Sequence, residues 1–412
     1  MVEYDVIIIG GGPSGMAAAL ESAKNNAKTL IIERNETLGG ILNQCIHNGF
    51  GLHYFKEELT GPEYAYRFRE LIAKEKNVEV MLNTFVIDIN KQSQEVTIKS
   101  DKGVNILKYK SLVLSMGCRE RTAGNILLTG TRPKGIYTAG SAQKLVNVYG
   151  KMVGKEVVIL GSGDIGLIMA RRLTLEGATV KAVLEINSSS SGLRRNISQC
   201  LDDFNIPLLL NTTIFEVVGN EKVEGIYYGQ VDENYNKLQN TRQFMSVDTV
   251  ILSVGLIPET DLVEGFSINR VTNSTYVNDY MQTEDKNIFA CGNFLHVHDL
   301  VDNVTLESLT AGRCAALNAF NKLKDAERYN VEYSSDISYV VPSTIVKGSG
   351  QVDLKFRVRK KIVKTNILVK CNNEVIAKKY MLAGSPGEMI TISFDKSKVT
   401  SNIYLEVENN EN

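Results

Sequence analysis

The chain has no Cys-x-x-Cys, and its six cysteines (Cys45, Cys118, Cys200, Cys291, Cys314 and Cys371) are scattered. Dithiol exchange needs neighbouring thiols, while a disulfide framework or structural zinc site needs clustered spacing. The absence of both points to a reduced, intracellular chain, with the cytoplasm as its expected location. No apolar run reaches the roughly 18 residues that cross a bilayer, so no membrane span is expected. A strand pattern beginning within a few residues of Met1 leaves no room for a secretory signal. A formal net charge of -1, without a long Lys/Arg block, supplies no field for nucleic acid. Tandem repeats and low-complexity tracts are also missing. What remains is a 412-residue chain of 43% hydrophobic content, long enough for two or three globular domains.

Two glycine fingerprints dominate it. Gly10-x-Gly12-x-x-Gly15 follows the apolar run Val6–Ile9, and Gly161-x-Gly163-x-x-Gly166 follows Val157–Leu160. Each opens a helix-like stretch rich in Ala or Leu. Each is followed, after a second apolar run, by an acid: Glu33 after Thr29–Ile32 and Glu185 after Val180–Leu184. The first glycine permits a tight turn, the second a close approach to pyrophosphate, and the third close helix packing. The helix start offers N–H groups and partial positive charge to phosphate, and the acid accepts from a ribose diol. Two complete units predict two dinucleotide sites. At the second, Glu185 would repel a 2′-phosphate and favour NAD(H) over NADP(H); Lys181 lies before it, within the strand.

Between and beyond these units the pattern predicts a helix over 62–75 and four short strands at 78–82, 85–90, 95–100 and 106–109, whose alternation suggests a small antiparallel insertion. Buried strands are expected at 111–116, 248–254 and 287–292. A helix with small residues follows at 305–322, and from about Val331 the texture becomes β-rich, with strands at 336–341, 352–358, 365–370 and 403–407 that read as a separate antiparallel domain of about 80 residues.

The stretches Asp5–Gly15, Ile159–Gly166 and Asn287–Asn293 (Asn-Ile-Phe-Ala-Cys-Gly-Asn) resemble the two-dinucleotide flavoprotein oxidoreductases, relatives of thioredoxin reductase in the pyridine nucleotide–disulfide reductase superfamily. The resemblance covers roughly residues 1–325. It implies an α/β fold of two Rossmann-like three-layer nucleotide-binding domains, the second inserted in the first, plus a small C-terminal all-β domain. The implied division is an FAD-binding domain at 1–118 and 249–328, an NAD(H)-binding domain at 119–248, and the β domain at 329–412. The implied FAD site comprises Gly10, Gly12, Pro13, Ser14, Gly15, Glu33, Arg34, Gly40, Ile41, Val86, Gly117, Arg121, Gly292, Asn293 and Asp302. The implied NAD site comprises Gly161, Gly163, Asp164, Ile165, Gly166, Glu185 and Gly255. Asn293 stands where these relatives carry an Asp that contacts the ribityl chain; its amide can still bond a hydroxyl.

The run Gly39–Gly51, with Cys291-Gly292-Asn293 and His296–Asp302, is similar to a narrower subgroup. Its members sit beside glycerol-3-phosphate dehydrogenases or resemble the α-subunits of dye-linked proline, opine and cyanide-forming amino-acid dehydrogenases. That resemblance implies a homo- or hetero-oligomer, with a partner dehydrogenase or iron–sulfur subunit. The thiols of the disulfide reductases are missing. Gly135–Ser141 holds no cysteine where thioredoxin reductases carry theirs, Cys45 stands alone after Gly39-Gly40, and no histidine follows His298.

Cys45 is a candidate redox thiol, against a reading as a small buried residue. His47 is a candidate acid–base group, against loop packing. His296-x-His298 with Asp299 and Asp302 suggests metal ligation, but an i, i+2 pair in an extended segment points to opposite sides, and no metal is expected. A flavin-proximal loop fits this segment better, with the helix start near Thr305 stabilising reduced flavin and Glu307 explained by capping. Arg119, Arg121, Arg194 and Arg195 are candidate phosphate contacts or solvated charges. The expected function is an FAD-dependent, NAD(P)H-linked oxidoreductase exchanging electrons with a small-molecule or protein acceptor or donor. The alternatives are a subunit of a heteromeric FAD dehydrogenase and a non-catalytic nucleotide-binding scaffold.

Overall fold

The computed structural model describes residues 2–408. The chain divides into two compact units, Met1–Cys118 with Pro258–Asn412, and Arg119–Ile257.

In the first unit strand Val2–Ile9, buried from Val6 onward, pairs in parallel with the buried strand Thr29–Ile32. Val78–Met81 flanks one side, Gly103–Leu114 the other, and Ile288–Ala290 pairs with the end of the latter. Continuous apolar runs suit a parallel sheet covered on both faces. The first half of Gly103–Leu114 turns antiparallel to Glu95–Ser100, which pairs with Phe85–Asn90. Two expectations change here. The segments 106–109 and 111–116 belong to one long strand, and 78–82 joins the parallel sheet instead of the antiparallel insertion. An edge strand of a parallel sheet is half exposed, so its alternation reads like that of a meander.

Helix α1 (Pro13–Lys24) presents buried Ala17, Ala18 and Ala19. Helix α2 (Gly61–Lys74) begins with a capping box between Thr60 and Glu63, which satisfies two end amides. In the second unit the parallel order is Ile136–Thr138, Thr249–Leu252, Glu156–Leu160, Thr179–Leu184, Leu208–Leu209. Helices α3 (Ala139–Asn147), α4 (Asp164–Leu175) and α5 (Arg194–Cys200) accompany this sheet. Thr249–Leu252 therefore belongs to the second sheet, although the sequence placed residues from 249 onward in the FAD-binding domain. A buried apolar run does not say which sheet it joins.

Back in the first unit, helix α6 (Val301–Ala319) starts before the expected 305 and packs against α1. A Cβ at Gly312 would collide with the Ala18 carbonyl, so glycine sets how closely these helices approach. The chain then forms two facing sheets. One contains Thr344–Val346, Arg328–Tyr333, Ile403–Glu408, Ile362–Cys371 and Glu374–Gly384; the other contains Ile337–Val341, Gln351–Val358 and Ile390–Asp395. Ile337, Leu354, Phe356, Ile367, Val369 and Leu405 fill the space between them. The region is all-β but not wholly antiparallel, because Val331–Tyr333 runs parallel to Ile403–Leu405. Along Gln351–Val358 the pleat turns Val352, Leu354, Phe356 and Val358 into this core. Lys355 and Arg357 consequently face outward, where they meet residues of the preceding nucleotide fold.

Gly312→Ala is expected to destabilise the protein by roughly 1–3 kcal/mol through overpacking. Urea unfolding measures this, and an unchanged midpoint would show that α1 and α6 part freely.

Candidate functional site

In the first glycine turn packing requires two of the glycines and not the third. Gly10 has φ +101°, and a Cβ there would lie 2.6 Å from the Ser115 carbonyl oxygen. A Cβ at Gly15 would press on the Gly10 carbonyl and lie 2.9 Å from Ser115 Oγ. Gly12 has an ordinary φ of -72°, and a Cβ there would meet nothing within 4 Å. Packing thus demands the outer glycines, whereas the middle one keeps open space in front of α1. That helix starts with Pro13, has no side-chain cap and carries no acid in its first turn, so its end amides remain available to an anion. Gly39 N donates to the Gly11 carbonyl (2.8 Å), and a Cβ at Gly40 would lie 3.1 Å from Gly12 Cα. The Gly39-Gly40 turn therefore lies on the same loop. These features fit a dinucleotide pyrophosphate.

A buried acid closes each turn. Glu33 Oε2 accepts from Gly11 N (2.6 Å), and Oε1 accepts from Asn35 N and Nδ2 (2.8 and 2.9 Å). In the second unit Glu185 Oε2 accepts from Ser162 N (3.0 Å) and Ser162 Oγ, and Oε1 from Asn187 N and Nδ2 (3.0 and 2.7 Å). Carboxylate oxygens retain lone pairs for a ribose hydroxyl. The shared Glu-x-Asn was visible in the sequence and was missed.

The second turn is less open. Gly161 has φ +95°, Gly166 approaches Ser253 Cβ at 2.7 Å from its Cβ position, and Gly163 approaches Ser253 Oγ at 3.2 Å. Asp164 Oδ1 accepts from Leu193 N and Asn196 Nδ2 (2.8 and 2.7 Å), which holds that segment beside the turn. Ile165 packs partly buried against the second unit's core. Gly255 has φ +98° and accepts from Arg121 N (3.0 Å). Arg121, grouped with the FAD residues in the sequence, is thus a second-unit residue beside a proposed NAD residue. Arg119, Arg194 and Arg195 are exposed.

The return strand delivers a third constellation. Gly292 has φ +69°, and its Cβ position lies 2.6 Å from Ser14 Oγ, so the return turn lies on the start of α1. Ser14 Oγ also bonds Ser308 Oγ (2.7 Å) and Cys291 Sγ (3.1 Å). Glu307 projects from within α6, beyond its first turn, so capping does not explain it. Its Oε1 accepts from Gly292 N (2.9 Å). Its Oε2 accepts from His296 Nε2 (2.8 Å), His298 Nε2 (3.2 Å) and Lys355 Nζ (2.8 Å). The two histidines converge rather than pointing apart, because residues 295–300 form no strand. Attraction to Lys355 and both histidines holds the Glu307 carboxyl well below the usual carboxylate range despite burial. Burial pushes His296 down to about 4. The two imidazoles and the carboxylate offer ligand atoms within 4.8 Å of one another. Lys355 already supplies the cation, however, and both Nδ1 atoms lack the outer partner usual for metal-bound imidazole.

The remaining candidates have assigned places. Asn293 Oδ1 accepts from His298 N (3.0 Å). Asp302, 1% exposed, accepts from Gly51 N (3.1 Å) and Tyr54 N (2.8 Å), which pins that loop. Arg34 pairs with Glu259 (3.5 Å), Gly117 accepts from Glu259 N (3.0 Å), Val86 packs against the core and Ile41 is exposed. Burial raises the Cys45 thiol to about 12, and its Sγ donates to the Ile41 carbonyl (3.3 Å). It is held as a thiol, not the reactive thiolate. His47 Nδ1 donates to the Asn48 carbonyl (3.0 Å), with its ring 5.0 Å from that of Phe50. Where thioredoxin reductases keep their cysteines, Thr138 caps α3. No helix among the described residues is long and apolar enough to cross a membrane.

Two strand–glycine turn–helix units in one chain, the first rejoined by a late strand that leads into the Gly292 turn, define a flavoprotein oxidoreductase of the two-dinucleotide class. Residues 4–310 match the model of the pyridine nucleotide-disulphide oxidoreductase family, and the chain belongs to that family. It is accordingly an FAD- and NAD(P)-dependent oxidoreductase. It is 23% identical over 387 residues to hydrogen cyanide synthase subunit HcnB of Pseudomonas protegens, spanning 84% of this chain and 79% of the relative. Thioredoxin reductase of T. acidophilum shares the fold with a TM-score of 0.63 and 20% identity over 78% of this chain and 99% of its own. An NAD-dependent persulfide reductase from A. fulgidus does so with a TM-score of 0.60 and 19% identity, over 95% of this chain and 72% of its own.

The His296 shift predicts a pH dependence of stability. Its folded value lies below its ordinary 6.5, so the unfolded chain binds the proton first and stability falls as pH drops from 6.5 towards 4. The loss from this group approaches roughly 3 kcal/mol at the acid end. Urea unfolding at pH 7 and pH 5 should show a smaller loss in His296→Gln than in the parent; equal losses would contradict the assignment.

Proposed function

We propose that this chain passes hydride between NAD(H) and FAD, and electrons onward to or from a second substrate or partner, without an internal redox disulfide. The observation that carries this reading is the open space at Gly12 before an uncapped helix, closed behind by buried Glu33. FAD supplies the hydride chemistry when bound. The chain's residues bind its phosphates at the start of α1, accept from its ribose at Glu33 and approach its ribityl side with Gly292 and Asn293. Gly161, Gly163 and Gly166 with Glu185 take the nicotinamide dinucleotide. NAD(H) is favoured because Glu185 would repel a 2′-phosphate, and Lys181 is engaged by Glu156. The raised Cys45 thiol and the cysteine-free Thr138–Ser141 support a flavin that exchanges electrons directly with its second partner.

A second reading makes the chain a subunit of a heteromeric dehydrogenase acting on glycerol 3-phosphate or an amino acid. It is favoured by the match across most of the chain to a protein described as a subunit. Purification with a partner, and dye reduction alone by the isolated chain, would support it.

The purified protein is expected to be yellow and to bleach with one equivalent of NADH under anaerobic conditions, with NADPH much less effective. A colourless protein that takes up no FAD would overturn the proposal. Gly12→Ala should keep the parent urea midpoint yet bind FAD at least about tenfold more weakly, a loss of roughly 1.4 kcal/mol. Cys45→Ser should retain NADH-driven bleaching within about twofold (roughly 0.4 kcal/mol); loss of bleaching with FAD still bound would restore the thiol to the mechanism.

A further inference from the structure

The groups around Glu307 form a closed charge system. Glu307 and both histidines are buried (4%, 2% and 8% exposed). An ionised carboxylate only accepts hydrogen bonds, so His296 and His298 each present Nε2–H to Glu307 Oε2. Both Nδ1 atoms are buried without a partner, where a proton would be an unpaired N–H donor, so the geometry fits each ring as the Nε2–H tautomer with a lone pair on Nδ1. Lys355 comes from the C-terminal β region and balances the single negative charge of Glu307. The rings meet edge to face at 4.3 Å, and Tyr339 stands 5.9 Å from His296. Arg357 and Asp299 beyond it neutralise each other (2.6 Å), with Arg357 Nε donating to Tyr339 Oη (3.2 Å). Cys291 beneath is a neutral thiol, raised by burial to about 12. The system therefore has no net charge at rest and two unprotonated ring nitrogens.

We propose that the His296–His298 pair takes up one proton when FAD is reduced and gives it back when hydride returns to NAD⁺, with Lys355 setting the resting charge. The proposal rests on the FAD reading of the Gly292–Asn293 turn, to which Glu307 and His298 are directly bonded. In the reducing direction the C4–H bond of NADH breaks, its hydrogen and electron pair pass to the flavin, and NAD⁺ forms. The bound flavin would then carry one more negative charge, which is costly where burial leaves it uncompensated. A proton from water joins one Nδ1 and restores neutrality. The proton makes that Nδ1 a buried donor without an acceptor, so it is held only while the flavin carries the extra charge. Glu307 continues to accept from both Nε2–H groups. His296 and His298 are positioning and charge-compensating residues here, since neither need touch the nicotinamide.

The chain contains four histidines, so selective ¹⁵N-histidine labelling gives a readable spectrum. Long-range ¹H–¹⁵N correlation distinguishes both neutral tautomers from imidazolium. At pH 7 the oxidised, FAD-loaded protein should show two neutral Nε2–H rings assigned to His296 and His298 by His→Gln variants. Anaerobic reduction by dithionite should convert one of them to imidazolium. A yellow protein whose two rings stay neutral on reduction overturns the proton role alone. A protein that takes up no FAD overturns the reading of the site and the proton role with it. Lys355→Met, which removes the positive charge from Glu307, should place a proton on one ring before any reduction, with or without FAD. Two neutral rings in that variant would remove Lys355 from the proposal.

Discussion

One buried carboxylate joins parts of the sequence that are otherwise far apart. Glu307 ties the return turn at Gly292, the loop carrying His296 and His298, and Lys355 of the C-terminal β region. Each donor satisfies part of a charge that burial alone would make intolerable. Removing the carboxylate leaves four donors without their acceptor, and removing a donor leaves the carboxylate short, so the five positions define one another. The return turn of the nucleotide fold consequently has its geometry set from three directions.

The two glycine turns share a construction and differ in what surrounds it. In each, a positive-φ glycine leaves the strand, a serine following a later strand packs beneath, and a Glu-x-Asn folds back onto the loop. The first opens freely at Gly12. The second carries Asp164 on the first helical turn and the 190–196 segment drawn in beside it. The same backbone device can thus carry different degrees of access. A glycine motif names the device, while the residues next to it set the access.

Much of this was legible because the decisive features are backbone features. Gly10, Gly15, Gly161 and Gly166 are required by sterics that act within a few residues of chain or across one strand pair, so spacing alone reveals them. Thr249–Leu252 was misplaced because burial is the same in either sheet. The opposite-sided reading of His296 and His298 assumed an extended segment, whereas Gly292–Phe294 makes a 3₁₀ turn and irregular chain follows. A signal was nevertheless available. Glu307 sits beside Ser308, Ala311 and Gly312 on the buried stripe of α6, and a charge among such small residues needs a partner. Lys355 and Arg357 supply ionic partners from the polar phase of an alternating strand. Their destination depended on packing across about fifty residues of chain, which no local pattern encodes.

The C-terminal β region has its own hydrophobic core, as a portable module would. Its outer face tells otherwise. Lys355 meets Glu307, Arg357 meets Asp299 and Lys396 meets Asp279, with the base on the β side and the acid on the nucleotide-fold side in every case. Such one-way polarity makes the two parts electrically unequal halves of a single body. Shuffling this β region onto another nucleotide fold would transplant a basic face without its acids and strand three carboxylates behind it. A graft of this region would therefore have to carry the acidic surface along with the basic face that neutralises it.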